Sequence, residues 1–113
     1  MPMTAEPLAL SRVGRAPSPP KHLGAAGRKL WTGVAQSWHL ESHHLATLQI
    51  AAEALDRSEM ARLAVEAEGL TLIGSHGGVV VHPGAAVERE SQRTFLAAMR
   101  LLGLDSDVPS GRR

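Results

Sequence analysis

The sequence predicts a mainly α-helical protein with three principal helices, a long central helical hairpin-like core and a short extended or β-like segment near residues 70–82. Apolar residues recur at steps of three and four along most of the chain, which is the period of one helix face. Prolines are concentrated before residue 21, and β-branched runs are confined to residues 70–82. A chain of 113 residues is expected to form one domain.

Residues 1–21 are predicted to be an extended or disordered, Pro-rich basic leader. Five of the seven prolines fall here. The run Arg15–Pro20 cannot be helical, because proline lacks an N–H donor and restrains the residue before it. The leader is followed by a helical domain over residues 22–104 and a flexible tail over residues 105–113.

The first helix is predicted from about Ala25 to Trp38, with Leu23 packing ahead of it as a staple. Gly27 and Gly33 each weaken this helix by about 1 kcal/mol relative to alanine, so it should depend on tertiary packing. Its apolar stripe consists of Leu30, Trp31, Val34 and Trp38.

The second helix is predicted from about Ser42 to Glu68, with Ser42 as N-cap and Gly69 as a left-handed residue that ends it. At 1.5 Å per residue this helix is about 40 Å long, so it should pair with another helix of the same or another chain. Charged pairs are expected at Glu53–Arg57 and Arg62–Glu66. Its apolar stripe is Leu45, Leu48, Ala52, Leu55, Leu63 and Ala67, with Met60 beside it.

Residues 70–82 contain two apolar runs around the sequence Gly74–Gly78, which is compatible with a short hairpin or with an extended loop. The third helix is predicted from Pro83 to about Leu102, with Gly103 after it. Its stripe includes Val87, Phe95, Ala98, Met99 and Leu102. No sustained coiled-coil register is expected.

The net charge of +1 is unevenly distributed. Residues 1–40 carry an excess of positive charge, residues 41–110 are acidic, and the chain ends in Arg112 and Arg113. A basic arm on an acidic body is typical of a nucleic-acid binder, although a solvated leader has the same composition. The positive charges before residue 40 are Arg12, Arg15, Lys21, Arg28 and Lys29, and free amides at the start of the first helix could assist them.

The residue inventory argues against an enzyme, and no cofactor is expected. There is no cysteine or asparagine, and no lysine follows Lys29, so the glycines of Gly74–Gly78 do not belong to a phosphate-binding loop. His39 and His43 have a spacing that can share a metal, but the helix is predicted to begin between them, so we expect no metal site. The N-terminus lacks a signal peptide and no run is long enough to span a bilayer, which predicts a soluble, cytoplasmic protein with no membrane contact.

Several segments, taken in order, resemble one family, the P27-type small terminase subunits of tailed phages, which include the small terminase of HK97-like phages. The resemblance covers about residues 17–113. It departs from the family at His44, where an Asp is usual, and in the tail after Leu104. The segments that carry it are Pro19–Leu23 followed by Leu30-Trp31, then Leu45–Arg57 with its Glu-Ala-Leu-Asp-Arg stretch, Glu68–Thr71, His82-Pro83 and Leu101–Leu104.

The resemblance implies a ring-shaped homo-oligomer in the host cytoplasm that recognises double-stranded viral DNA and regulates a large terminase subunit, which holds the ATPase and nuclease. DNA contacts are then expected at the five cations before residue 40. The alternative is a helical structural or adaptor protein of a phage with no DNA role. The subunit interface is predicted at Leu45, Leu48, Leu55, Leu63, Phe95 and Met99.

Overall fold

The computed structural model describes residues 16–104 and the backbone of Glu6–Pro7, and it confirms the mainly helical fold. The helices are α1 (Ala25–Ser37), α2 (Ser42–Glu68) and α3 (Pro83–Leu102), within one residue of the predicted bounds. None of the helices in this part of the chain is both long and apolar enough to cross a membrane.

Two short antiparallel strand pairs complete the fold. Strand β1 (Glu6–Pro7) pairs with β2 (Trp38–His39), which links α1 to α2. Strands β3 (Thr71–Ile73) and β4 (Val79–Val81) form a hairpin between α2 and α3, so the segment near residues 70–82 is a hairpin and not a loop.

Helices α2 and α3 lie antiparallel and pack through small side chains. A Cβ atom placed on Gly84, at the start of α3, would lie 3.1 Å from Val65 near the end of α2, and Leu102, at the end of α3, shares a core cluster with Leu48 near the start of α2. On α3 the buried residues are Ser91, Ala98 and Leu102. On α2 the buried row is Thr47, Ala51, Ala54, Ser58 and Ala61, at alternating steps of four and three.

That alternation is the 3.5-residue period of a coiled-coil seam. The row covers about two heptads, so it is a short local seam and not a sustained coiled-coil register. The seam is built from alanine, serine and threonine, whose side chains contribute little to a hydrophobic pattern. Because small side chains let two backbones approach closely, α2 is buried on α3 without leucines along the line of contact.

The main apolar core lies at one end of the molecule, where α1 packs on α2 and on the end of α3. Only the first half of α2 is covered by α1, which has 13 residues against 27. The stripe predicted for α2 therefore divides: Leu48 is completely buried, whereas Leu63 is 48% and Met60 71% exposed. The core comprises Leu23, Trp31, Val34, Ala35, Leu40, Leu48, Ala52 and Leu102.

Two helix ends differ from their predictions. The N-cap of α2 is Glu41 and not Ser42: its side chain accepts the backbone N–H of His44, and its own N–H donates to His44 Nδ1 at 3.0 Å. Gly69 has a positive φ of 91°, but its ψ of 152° directs the chain into the hairpin and not into the left-handed helical region. Gly103, with φ 69° and ψ 24°, does adopt the predicted left-handed conformation.

His82 caps α3, a role that its position before Pro83 does not reveal. The backbone N–H of Gly84 donates to His82 Nδ1 at 2.8 Å. Nδ1 is therefore the acceptor, so Nε2 carries the hydrogen and donates to Glu68 Oε1 at 2.5 Å. His82 is 8% exposed, and through this pair of bonds it ties the end of α2 to the start of α3.

The proline-rich segment at residues 16–20 is extended, as proline chemistry predicts, but it is packed on the folded body. Trp31 Nε1 donates to the carbonyl oxygen of Pro17 at 3.0 Å, and Ala16 packs against the core. For residues 16–20 the structure therefore shows the extended alternative and not the disordered one, because the tryptophan gives the extended chain a polar and an apolar partner. The rest of the predicted leader, apart from the Glu6–Pro7 backbone, and the tail from residue 105 lie outside the described residues.

Candidate nucleic-acid interface

Three of the five predicted DNA-contacting cations lie together at the start of α1. Lys21 lies in the turn before the helix, Arg28 and Lys29 lie in its first turns, and all three are exposed. Within residues 16–104, none of the three is within ion-pair distance of a carboxylate. Their positive charge therefore faces solvent. Arg12 and Arg15 lie outside the described residues.

Arg28 also organises the approach to the helix. Its Nη2 atom donates to the carbonyl oxygens of Lys21, at 3.1 Å, and Leu23, at 2.9 Å. These bonds use one nitrogen of a planar group that carries five N–H donors, so the remaining donors are available to a ligand. The arrangement fixes the turn that carries Lys21 relative to the helix that carries Lys29.

Two of the amides at the start of α1, which the sequence analysis expected to be free, are engaged by a carboxylate. The N–H of Gly24 donates to Asp56 Oδ2 at 2.6 Å, and the N–H of Gly27 donates to Asp56 Oδ1 at 2.7 Å. A carboxylate of α2 therefore caps α1 and offsets the positive end of its dipole. Because the carboxylate occupies this helix terminus, we expect a phosphate near Lys21 and Lys29 to be bound by their side chains.

Gly27 is required for that cap. A Cβ atom at this position would lie 2.5 Å from Asp56 Oδ2 and 2.7 Å from the carbonyl oxygen of Ala52. Both distances are shorter than real Cβ contacts, so any side chain would push α1 away from α2. Within α1 alone, Gly27 lowers helix stability. In the folded chain it allows α1 and α2 to come into close contact.

A second carboxylate lies close to the same turn. His22 Nε2 is 2.7 Å from Glu53 Oε2, and Gln49 Nε2 donates to that oxygen at 3.0 Å. The hydrogen bond from Gln49 and then that from His22 lower the pKa of Glu53 below its usual range. Glu53 therefore connects α2 to the segment before α1, and the predicted Glu53–Arg57 pair is replaced by this contact.

The predicted pair between Arg62 and Glu66 is present at 3.2 Å, and Arg62 also binds Glu59 at 2.6 Å. The hydrogen bond from Arg62 lowers the pKa of Glu59, and the same bond raises that of Arg62. The three side chains are solvent-exposed, so these pairs contribute little to stability.

The histidines that raised the question of a metal lie in two elements. His39 is in β2, and the rings of His43 and His44 at the start of α2 are 4.2 Å apart. Among the described residues, no three histidine, aspartate or glutamate side chains converge in a way that could hold a metal ion. His44 is engaged in the α2 cap, which assigns it a structural role.

The predicted interface residues do not form one surface. Leu48 is completely buried inside the subunit, so it has no area left for a partner. Leu45 and Met99 pack on the same core, and Leu55 and Phe95 are half-buried. Only Leu63 is largely open. Apart from Leu63, the exposed large apolar side chains are not among the predicted interface residues; they are Ile50, Met60, Leu70, Ile73, Val79, Val80, Val81, Val87, Leu96 and Leu101.

Comparison of the chain with known protein families, characterised proteins and solved structures gives no match. The resemblance to phage small terminase subunits consequently remains a hypothesis, which depends on the segments quoted above.

Proposed function

We propose that this chain is the small subunit of a viral DNA-packaging motor, an assembling protein that binds double-stranded DNA and regulates a large catalytic subunit. The observation that supports DNA binding best is the exposed, unpaired cluster of Lys21, Arg28 and Lys29. Elsewhere in the described residues, Arg62 is paired with Glu59 and Glu66. Phosphate binding by such a cluster is electrostatic and independent of base sequence.

Self-assembly is supported by the uncovered apolar surface. Met60, Leu63 and the β3–β4 hairpin expose large apolar side chains along one half of the molecule. Single exposed apolar residues are common, but a group of this kind usually marks an interaction site. A closed ring would repeat the three cations around an axis, so that weak contacts add through multivalency.

The catalytic work of packaging belongs, in this proposal, to the large subunit. The chain has no lysine after its glycine-rich turn and no cluster of aspartates. We therefore expect purified protein neither to hydrolyse ATP nor to cut DNA. ATP hydrolysis or metal-dependent cleavage that persists through rigorous purification would contradict the proposal.

The decisive experiment measures DNA binding of the triple variant Lys21→Gln, Arg28→Gln, Lys29→Gln at several salt concentrations. Glutamine keeps a donor for the carbonyls that Arg28 now binds. Each lost phosphate contact should reduce the slope of log affinity against log salt by about 0.9, in addition to weakening binding. The matched control is Arg57→Gln, Arg89→Gln, Arg93→Gln, which removes the same charge from α2 and α3 and should change the slope less.

A helical adaptor without a DNA role is the second candidate, because Asp56 and Glu53 bring negative charge close to the basic cluster. Native protein that assembles but does not bind DNA would favour this candidate. A triple variant that binds DNA with the native affinity, salt slope and assembled mass would show that DNA contacts another surface. Equal loss in the control variant would instead place the DNA on α2 and α3.

A further inference from the structure

The β3–β4 hairpin presents an apolar face that no described part of the same chain covers. Ile73 is paired with Val79, and Val81 lies two residues along, so the three side chains share one face of the hairpin. They are 74%, 70% and 61% exposed. A two-stranded hairpin with three-residue strands is marginal in water without further packing, so this face is suited to burial against another surface.

The outer side of α1 offers a second exposed apolar surface, which is concave. A shallow groove of about 420 Å³ runs between α1 and Leu55 of α2. Its wall contains Gly33, where a Cβ atom would meet nothing within 4 Å, so the floor is open to an incoming side chain. Lys29 forms its rim, and the remaining lining residues are Ala26, Leu30 and Val34.

The hairpin of one chain cannot reach the groove of the same chain. The groove lies beside Leu55, whereas the hairpin follows Glu68, about 20 Å further along the rigid α2 helix. The described ends of the chain are also remote from the hairpin: Ala16 and Leu104 pack on the core at the α1 end. Contact between the two surfaces therefore requires a second molecule.

Charge favours pairing the hairpin with the groove over pairing two hairpins. Glu66 and Glu68 lie directly before the hairpin, and their side chains are 68% and 61% exposed even though each has one partner in its own chain, Arg62 and His82 respectively. Two hairpins that met face to face would bring these carboxylates together. At the groove they would instead approach Lys29 at its rim, whereas Lys21 and Arg28 do not line the groove and stay open to DNA.

We propose that the β3–β4 hairpin of one copy docks in the α1–Leu55 groove of the next copy. The two contacting surfaces differ, so the contact is head-to-tail, which generates a closed ring or an open filament according to the rotation between copies. The inference deepens the proposed function, since it specifies how the subunits of that assembly meet, but the contact does not depend on DNA binding.

Two variants that each block one surface test the contact. Ile73→Thr, Val79→Thr, Val81→Thr removes apolar area from the hairpin and keeps β-branched residues, which maintain the strands. Gly33→Glu fills the groove and repels Glu66 and Glu68, while glutamate suits a helix better than glycine does. Gln36→Glu, on α1 outside the groove, is the matched control. Circular dichroism checks that helical content is unchanged in each variant.

Sedimentation equilibrium then gives the masses. We expect the native protein and Gln36→Glu to assemble, each blocked variant to remain monomeric, and an equimolar mixture of the two blocked variants to form a one-to-one dimer. Each partner in that mixture supplies the one surface that the other lacks. A blocked variant with the native mass, or a mixture that stays monomeric, would overturn the proposal.

The experiment separates this contact from the proposed function. Native protein that assembles through the hairpin and groove but does not bind DNA would refute the proposed function and support the contact. If the native protein binds DNA and both blocked variants keep the native assembled mass, the contact alone would be refuted. A monomeric native protein at high micromolar concentration would refute the contact and the ring together.

Discussion

The two halves of α2 carry apolar residues on the same stripe but are built differently. In the half before Asp56, α1 covers the stripe, and Leu48 is completely buried. In the half after Asp56, α3 is the only described helix that packs on α2, the contact is the small-residue seam, and Leu63 and Met60 face outward. An apolar stripe therefore indicates that a helix needs a partner, but it does not reveal whether that partner is in the same chain.

The largest expected effect is a difference in the free energy of unfolding between matched substitutions in the two halves of α2. Leu48→Ala should lower the free energy of unfolding by about 2–5 kcal/mol, because it removes apolar contacts and leaves a cavity in the core. Leu63→Ala, the same change on the same stripe, should lower it by less than about 0.5 kcal/mol in the monomer. Denaturant unfolding of both variants at low protein concentration measures the difference. If Leu63→Ala proves as costly as Leu48→Ala, the subunit surface at Leu63 is covered.

An intermediate effect is expected at the boundary between the halves. Asp56→Ala should destabilise the protein by about 1–3 kcal/mol, because it leaves the N–H groups of Gly24 and Gly27 without their acceptor. Hydrogen exchange should increase at the start of α1 more than in the distal half of α2. Glu66→Ala, an exposed carboxylate on the same helix, serves as the control. Equal exchange in Asp56→Ala and native α1 would show that the cap does not hold the helix in place.

The smallest expected effect is a pH dependence at the same boundary. The folded pKa of Glu53 is lowered, chiefly by Gln49 and then by His22. The contribution of ionised Glu53 to the free energy of unfolding should therefore be complete above the unfolded pKa. It should be lost as the pH falls through the lowered pKa of the folded state. Glu53→Gln should cost no more than about 0.5 kcal/mol at neutral pH, since the pair is partly exposed.

Chemical denaturation of the native protein and Glu53→Gln at a series of pH values measures the difference between their free energies of unfolding. The difference between them should shrink as the solution is acidified below the unfolded pKa of glutamate. A difference that instead grew on acidification would mean that the carboxylate is stabilised in its protonated form, contrary to the contacts with Gln49 and His22.

The sequence by itself determined the helices and where they end. The bounds of α1, α2 and α3 follow from local chemistry, which acts within a few residues: the helical period of apolar side chains, Pro83 at a first turn, and Gly69 and Gly103 at helix ends. The same reasoning predicted the extended course of residues 16–20, because proline restricts its own backbone and that of its neighbour. It also located the exposed cations of α1.

Only the tertiary structure decided which face of each helix is buried and what the polar residues do. The α2–α3 seam is made of alanine, serine and threonine. How much such small side chains stabilise a helix pair depends on how closely the other backbone approaches. Asp56 resembles any solvated carboxylate until Gly27 brings the amides of α1 against it, across 29 residues of chain. Such contacts are invisible to periodicity because they depend on distances between segments, which the order of residues along one helix does not contain.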